Sequence, residues 1–173
     1  GAALYAMQVD ANGAEAWADT VRVSANSPGL NYGFHTVEMG GGTQVTAWRD
    51  VPGNIVMARL DHTGALTYPA SPLPVCTYAS YHDLPKLAVS DGALFAAWLD
   101  NRPPANTGDL YLQKFDADGT PTWTVEGVLA LQIQTNFATT GMIASDSGAV
   151  IVMMDSYVEG YAAMRIRTDG TQA

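Results

Sequence analysis

Two acidic turns carry oxygen donors from which a hard-cation site could be built. Asp116 and Asp118 stand at i, i+2 spacing, as do Asp10 and Asn12, and carboxylate and amide oxygens are the ligands that calcium takes. An EF-hand type of loop needs further oxygens and a closing glutamate, which neither turn supplies. Asp and Asn at such positions also bond to their own backbone, so a structural role is expected, with Asp116 and Asp118 as the calcium alternative. Trp48 and Trp98 each precede an aspartate by two residues, Asp50 and Asp100. Each ring is expected between neighbouring sheets, with the carboxylate on the same face accepting hydrogen bonds at the strand end. His35, His62 and His82 have no ligand spacing and read as isolated loop or strand-end residues. Cys76 is the single cysteine, which excludes an intrachain disulfide and a cysteine cluster. No histidine is paired with it by spacing, so it reads as a buried small hydrophobe. Gly40-Gly41-Gly42 lacks the helix and lysine of a phosphate loop. Segment 69–83 groups Tyr78, Tyr81 and His82 with Pro72 and Pro74. That rigid aromatic loop suits contact with a sugar or a protein, and Tyr78, Tyr81 and His82 are the candidate ligand-binding residues. No catalytic constellation and no cofactor motif is legible.

The elements that must position these residues follow a repeat. Asp10-Ala11-Asn12-Gly13 ends an alternating strand and is followed by Trp17; Asp61 to Gly64 is followed by Tyr68, and Asp116 to Gly119 by Trp123. A last copy ends at Asp169-Gly170. The turn glycines at 13, 64, 119 and 170 are therefore 51, 55 and 51 residues apart. Ala47-Trp48-Arg49-Asp50 recurs in the same register as Ala97-Trp98-Leu99-Asp100 and, degraded, as Val152-Met153-Met154-Asp155. Each unit holds about four short strands with period-2 alternation and tight Asn-Gly or Asp-Gly turns. In the best-defined unit the strands are expected at 84–89, 93–99, 109–115 and 122–132.

Four antiparallel strands at a period of about 50 residues are the signature of a β-propeller blade. The expected fold class is all-β, with about three and a quarter blades: a partial blade over 1–30, blades over 31–80 and 81–134, and a partial blade over 135–173. Both ends cut a repeat and the chain opens Gly1-Ala2-Ala3 rather than with Met, so it is expected to be part of a larger propeller. Its missing neighbours are then the remaining blades or another copy of the chain. Four segments depart from the repeat, 25–33, 69–83, 102–108 and 156–160, and in repeat scaffolds such departures map to loops that often bind.

Composition narrows the partners. The chain has 173 residues, 47% of them hydrophobic, enough for the core of one domain. Charged residues make up only 14%, too few for a disordered chain. A net charge of −9 argues against nucleic-acid partners, and the lack of a long apolar run argues against membrane insertion.

The repeated phrases resemble propeller-type repeats of bacterial secreted and cell-surface proteins, in which a blade reads A-W-x-D-x-R, then D-[IL]-Y-x-Q, then D-x-x-G and W. The unit Ala97-Trp98-Leu99-Asp100-Asn101-Arg102, Asp109-Leu110-Tyr111-Leu112-Gln113, Phe115-Asp116, Gly119 and Trp123 fits best. The resemblance implies a scaffold at an extracellular or cell-surface location and assigns no catalytic residues. The turn 116–123 also resembles the Asp-box of sialidase propellers, but its spacing differs and the leading serine is absent. The functional expectation is a non-catalytic binding or assembly module with a protein or glycan partner. The alternative is a fragment of a propeller glycoside hydrolase whose active residues lie outside this chain.

Overall fold

The computed structural model describes residues 3–24, 33–68, 72–103, 108–132, 137–148, 150–156 and 160–173. Of the four non-repeating segments, most of 25–33 and 156–160, part of 102–108 and the first residues of 69–83 lie outside the described residues. The described residues form β1 (Tyr5–Ala6), β2 (Val21–Arg22), β3 (Phe34–Gly40), β4 (Thr43–Arg49), β5 (Ile55–Leu60), β6 (Leu73–Cys76), β7 (His82–Ser90), β8 (Ala93–Asp100), β9 (Asp109–Phe115), β10 (Val128–Leu131), β11 (Phe137–Ala144), β12 (Val150–Ser156) and β13 (Gly160–Ile166), with one 3-10 turn over Asp146–Gly148. All pairing is antiparallel. The strands make sheets β1-β2, β3-β4-β5-β6, β7-β8-β9-β10 and β11-β12-β13. The first strands of the three larger sheets gather together, β3 and β11 both against β7. This is an all-β chain of propeller blades.

Strand alternation explains why the sheets stack. On β8, Leu94, Ala96 and Trp98 belong to the apolar cluster shared with Val45, Ile55 and Met57 of the preceding sheet. The intervening Phe95 and Ala97 join Val150, Val152 and Ile166 of the following one. Trp48 plays the part of Trp98 one blade earlier, packing with Val56 and Ala58 against Val21 and Val23. Both tryptophans are fully buried between blades. A side chain on either face of such a strand meets a neighbouring sheet, and removing apolar area from water at about 25 cal/mol per Å² drives the stacking.

The fourth strand of the third sheet is shorter than its composition suggests. Thr122–Gln132 reads as strand, yet β10 covers only Val128–Leu131. Glu126 and Gly127 take left-handed φ values of 66° and 82°, and the Gly127 amide donates back to the Thr124 carbonyl at 3.0 Å. The cause is Trp98: a Cβ at position 127 would lie 2.5 Å from its ring. The chain turns under the indole and pairs only beyond it.

Candidate functional site

The carboxylate of Asp100, at the end of β8, collects hydrogen bonds from several directions. Ser80 Oγ donates to Oδ1, as does the Arg102 backbone N–H at 3.0 Å, while Trp98 Nε1 donates to Oδ2 at 3.3 Å. The Arg102 guanidinium forms an ion pair with Oδ2, and His82 Nε2 lies 3.3 Å from that oxygen. Burial alone would push this carboxyl up, but hydrogen bonds from His82, Arg102 and Ser80 outweigh it and hold Asp100 well below the usual carboxylate range.

Cys76 closes the cluster. Its Sγ lies 3.3 Å from His82 Nε2, 3.8 Å from Asp100 Oδ2 and 3.4 Å from Arg102 Nη2. Cys76, His82 and Asp100 are all buried. Burial, followed by the nearby Glu126 and Asp100 carboxylates, pushes the Cys76 thiol up, so it stays protonated near neutral pH. The fully buried position of Cys76 fits its sequence reading, but the absence of a histidine partner does not. The connection 77–81 doubles back between β6 and β7, so residues six apart in sequence face each other. His82 Nδ1 pairs with the Gly53 carbonyl at 2.9 Å, which fixes the ring and turns Nε2 toward the sulfur.

Above this cluster stand the tyrosines. Arg102 lies 4.6 Å from the Tyr78 ring and 3.9 Å from the Tyr111 ring. Tyr111 in turn stacks on Trp98 at 6.4 Å. The result is a column running from the surface to the blade interface: Tyr78, Arg102, Tyr111, Trp98. Tyr81 is held similarly, with the Arg49 guanidinium 4.4 Å from its ring centroid, and its hydroxyl donates to Asp83 at 3.2 Å. Tyr78 and Tyr81 remain 41% and 44% exposed. Beside Tyr78 opens a recess of about 410 Å³ bounded by Pro52, Gly53, Asn54 and Thr77–Ser80. Glu126 fixes the floor of this loop: its carboxylate accepts the Thr77 and Tyr78 amides at 2.7 and 3.2 Å and the Thr77 hydroxyl at 2.8 Å. Of the three candidate ligand-binding residues, Tyr78 and Tyr81 are both half-exposed, each on its own arginine, while His82 is buried in the cluster.

The acidic turns lie elsewhere and are engaged by their own backbone. Asp116 Oδ1 accepts the Thr120 amide at 2.9 Å, and Asp118 accepts the same amide at 2.9 Å and the Thr120 hydroxyl at 2.6 Å. Asp10 Oδ1 likewise accepts the Asn12 and Ala14 amides at 2.8 and 2.9 Å. Among the described residues, the group of three or more side chains with ligand atoms close enough to share a metal ion is Cys76, His82 and Asp100. Asp100 was visible in the repeat as its Trp-x-Asp phrase, and Arg102 through the Trp-x-Asp-x-Arg phrase of the family resemblance. Cys76 and Ser80 carried no sequence signal, because they belong to the non-repeating segment.

No protein-family model matches the sequence, and no curated protein does. Solved structures do match by shape. A protein assigned as an exo-β-1,3-galactanase from Bifidobacterium bifidum aligns over 100% of this chain and 57% of its own, at 16% identity and a TM-score of 0.52. The α-L-arabinanase of Penicillium chrysogenum, solved with arabinobiose, aligns over 97% of this chain and 53% of its own, at 12% identity and a TM-score of 0.51. Regucalcin, a calcium-binding protein from Agrobacterium tumefaciens, aligns over 82% of this chain and 43% of its own, at 17% identity and a TM-score of 0.47. The chain spans about half the length of these proteins, and what it shares with the first two is the β-propeller fold.

Proposed function

We propose that this chain is part of a propeller that binds a protein or glycan ligand without turning it over, in a secreted or surface-exposed bacterial protein. One observation carries the reading: two half-exposed tyrosines, each braced by a guanidinium, with Tyr78 lining a recess of about 410 Å³. A pre-ordered aromatic surface loses little side-chain entropy on binding, and tyrosine offers both an apolar face and a polar tip. The chemistry-bearing groups below support binding rather than catalysis, since the Cys76 thiol is buried and protonated and the Asp100 carboxylate is fully engaged.

The experiment is a glycan-array and calorimetric screen that includes arabinan and β-1,3-galactan oligosaccharides, run on the chain and on a Tyr78→Ala/Tyr81→Ala variant. Saturable binding lost in the variant, with an unchanged circular-dichroism spectrum, is the expected result. Turnover of a glycoside by the protein, abolished by replacing one carboxylate, would overturn the non-catalytic reading in favour of a propeller hydrolase.

A further inference from the structure

The Cys76 cluster goes beyond the surface-binding reading, because its geometry is that of a coordination sphere. A tetrahedral zinc ion with Zn–S near 2.3 Å and Zn–N or Zn–O near 2.0 Å separates sulfur from nitrogen by about 3.5 Å and nitrogen from oxygen by about 3.3 Å. In this protein Cys76 Sγ and His82 Nε2 are 3.3 Å apart, His82 Nε2 and Asp100 Oδ2 3.3 Å, and Cys76 Sγ and Asp100 Oδ2 3.8 Å. The supporting contacts are in place as well. His82 presents its other nitrogen to a backbone carbonyl, and Ser80 holds the second oxygen of Asp100, the outer contacts that orient metal-bound imidazole and carboxylate.

We propose that Cys76, His82 and Asp100 form a buried site for one zinc-class divalent cation, with Arg102 as its cover. The mixed sulfur, nitrogen and oxygen donor set selects borderline transition metals over calcium or magnesium. On binding, the Cys76 S–H bond gives its proton to bulk water and the thiolate takes the metal. His82 gives the Nε2 proton that faces Asp100 to bulk water and supplies that lone pair, while Nδ1 keeps its proton on the Gly53 carbonyl. Arg102 gives up Asp100 Oδ2 to the cation. It retains the Glu126 carbonyl, which it already contacts at 3.0 Å, and its place between Tyr78 and Tyr111.

The fourth coordination position is left for water.

The test is titration of the metal-free chain with CoCl2 under reducing conditions, followed by displacement with ZnCl2. One equivalent of cobalt should produce an intense near-ultraviolet thiolate charge-transfer band that zinc abolishes, and zinc should raise Tm. Cys76 is the chain's only thiol, so this band reports on the site even if a variant fails to fold. Cys76→Ser should eliminate the band and weaken cobalt binding by more than about 100-fold, beyond the loss typical of an outer-shell change. His82→Asn should weaken it similarly, while Arg102→Gln should tighten it by removing a competing cation. No band with the parent chain, or cobalt binding with no thiolate contribution, overturns the proposal.

Discussion

Asp100 is the residue on which most depends, because Ser80, His82, Trp98 and Arg102 all converge on one buried carboxylate. Removing its charge leaves the Arg102 guanidinium without its ion-pair partner, and breaking a buried pair from one side costs about 3–5 kcal/mol. The pH dependence follows from the depressed carboxyl. A group held below its unfolded value of about 3.9 adds stability that is full above that pH and is lost as pH falls toward the folded value. Urea unfolding between pH 7 and pH 3 should therefore show a decline in stability that flattens in Asp100→Asn, with the variant already weaker by about 3 kcal/mol at pH 7. An unchanged acid slope in the variant would mean that other carboxylates, such as the turn aspartates, set it. Sequence made Asp100 visible through the recurrence of Trp98 and Asp100 as Trp48 and Asp50, with Arg102 marked by the family resemblance alone. It hid Cys76 and Ser80, because periodicity registers only what every blade needs, and these two serve a cluster built once.

At the scale of the element, the repeat encodes a lock between blades. The aromatic four residues after each turn glycine packs on the turn glycine of the next blade. A Cβ on Gly64 would lie 3.0 Å from Trp17, one on Gly119 2.9 Å from Tyr68, and one on Gly170 3.4 Å from Trp123. Trp17 Nε1 donates to the His62 carbonyl at 2.9 Å and Trp123 Nε1 to the Thr168 carbonyl at 3.1 Å, each two residues before its glycine. Tyr68 has no indole N–H to offer, and there the Arg59 guanidinium, 4.8 Å from the Tyr68 ring, donates to the matching Ala117 carbonyl instead. The periodic glycine and aromatic were legible in the sequence for this reason: glycine is the residue that leaves room for the ring. The role of Arg59 was not, because it stands in for a missing atom of a different residue. Arg59→Ala should cost about 1–2 kcal/mol, the worth of a hydrogen bond from a charged donor plus lost stacking. Adding Tyr68→Trp should recover part of that loss by restoring the N–H from the ring. Additive or greater destabilisation in the double variant, read by urea unfolding, would show that the arginine does not replace the indole.

For the whole molecule, the informative turn is the one that lacks its aromatic. Gly13 has the same left-handed φ as its counterparts, 81° against 86°, 90° and 87° at Gly64, Gly119 and Gly170. Its amide donates to the Asp10 carbonyl at 3.0 Å just as that of Gly64 donates to Asp61. Yet nothing lies within 4 Å of where its Cβ would be, whereas the other three turns each meet a ring from a neighbouring blade. The stretch from β1 to this turn leaves Tyr5, Met7 and Val9 more than half exposed, at 59%, 51% and 55%. A propeller sheet is stabilised by cover on both faces, and we propose another blade, from more propeller or from a second copy of the chain, as the cover for this one. Sedimentation of the 173-residue chain over a range of concentrations should reveal reversible self-association. A Met7→Lys/Val9→Lys variant should weaken that association by placing two charges on the face, with circular dichroism unchanged because both side chains project away from the packed core. An ideal monomer at every concentration would mean that this face is satisfied by solvent alone. In a longer chain that carries the neighbouring blade, the same two substitutions should instead lower Tm, because the charges would then be buried against it without a partner.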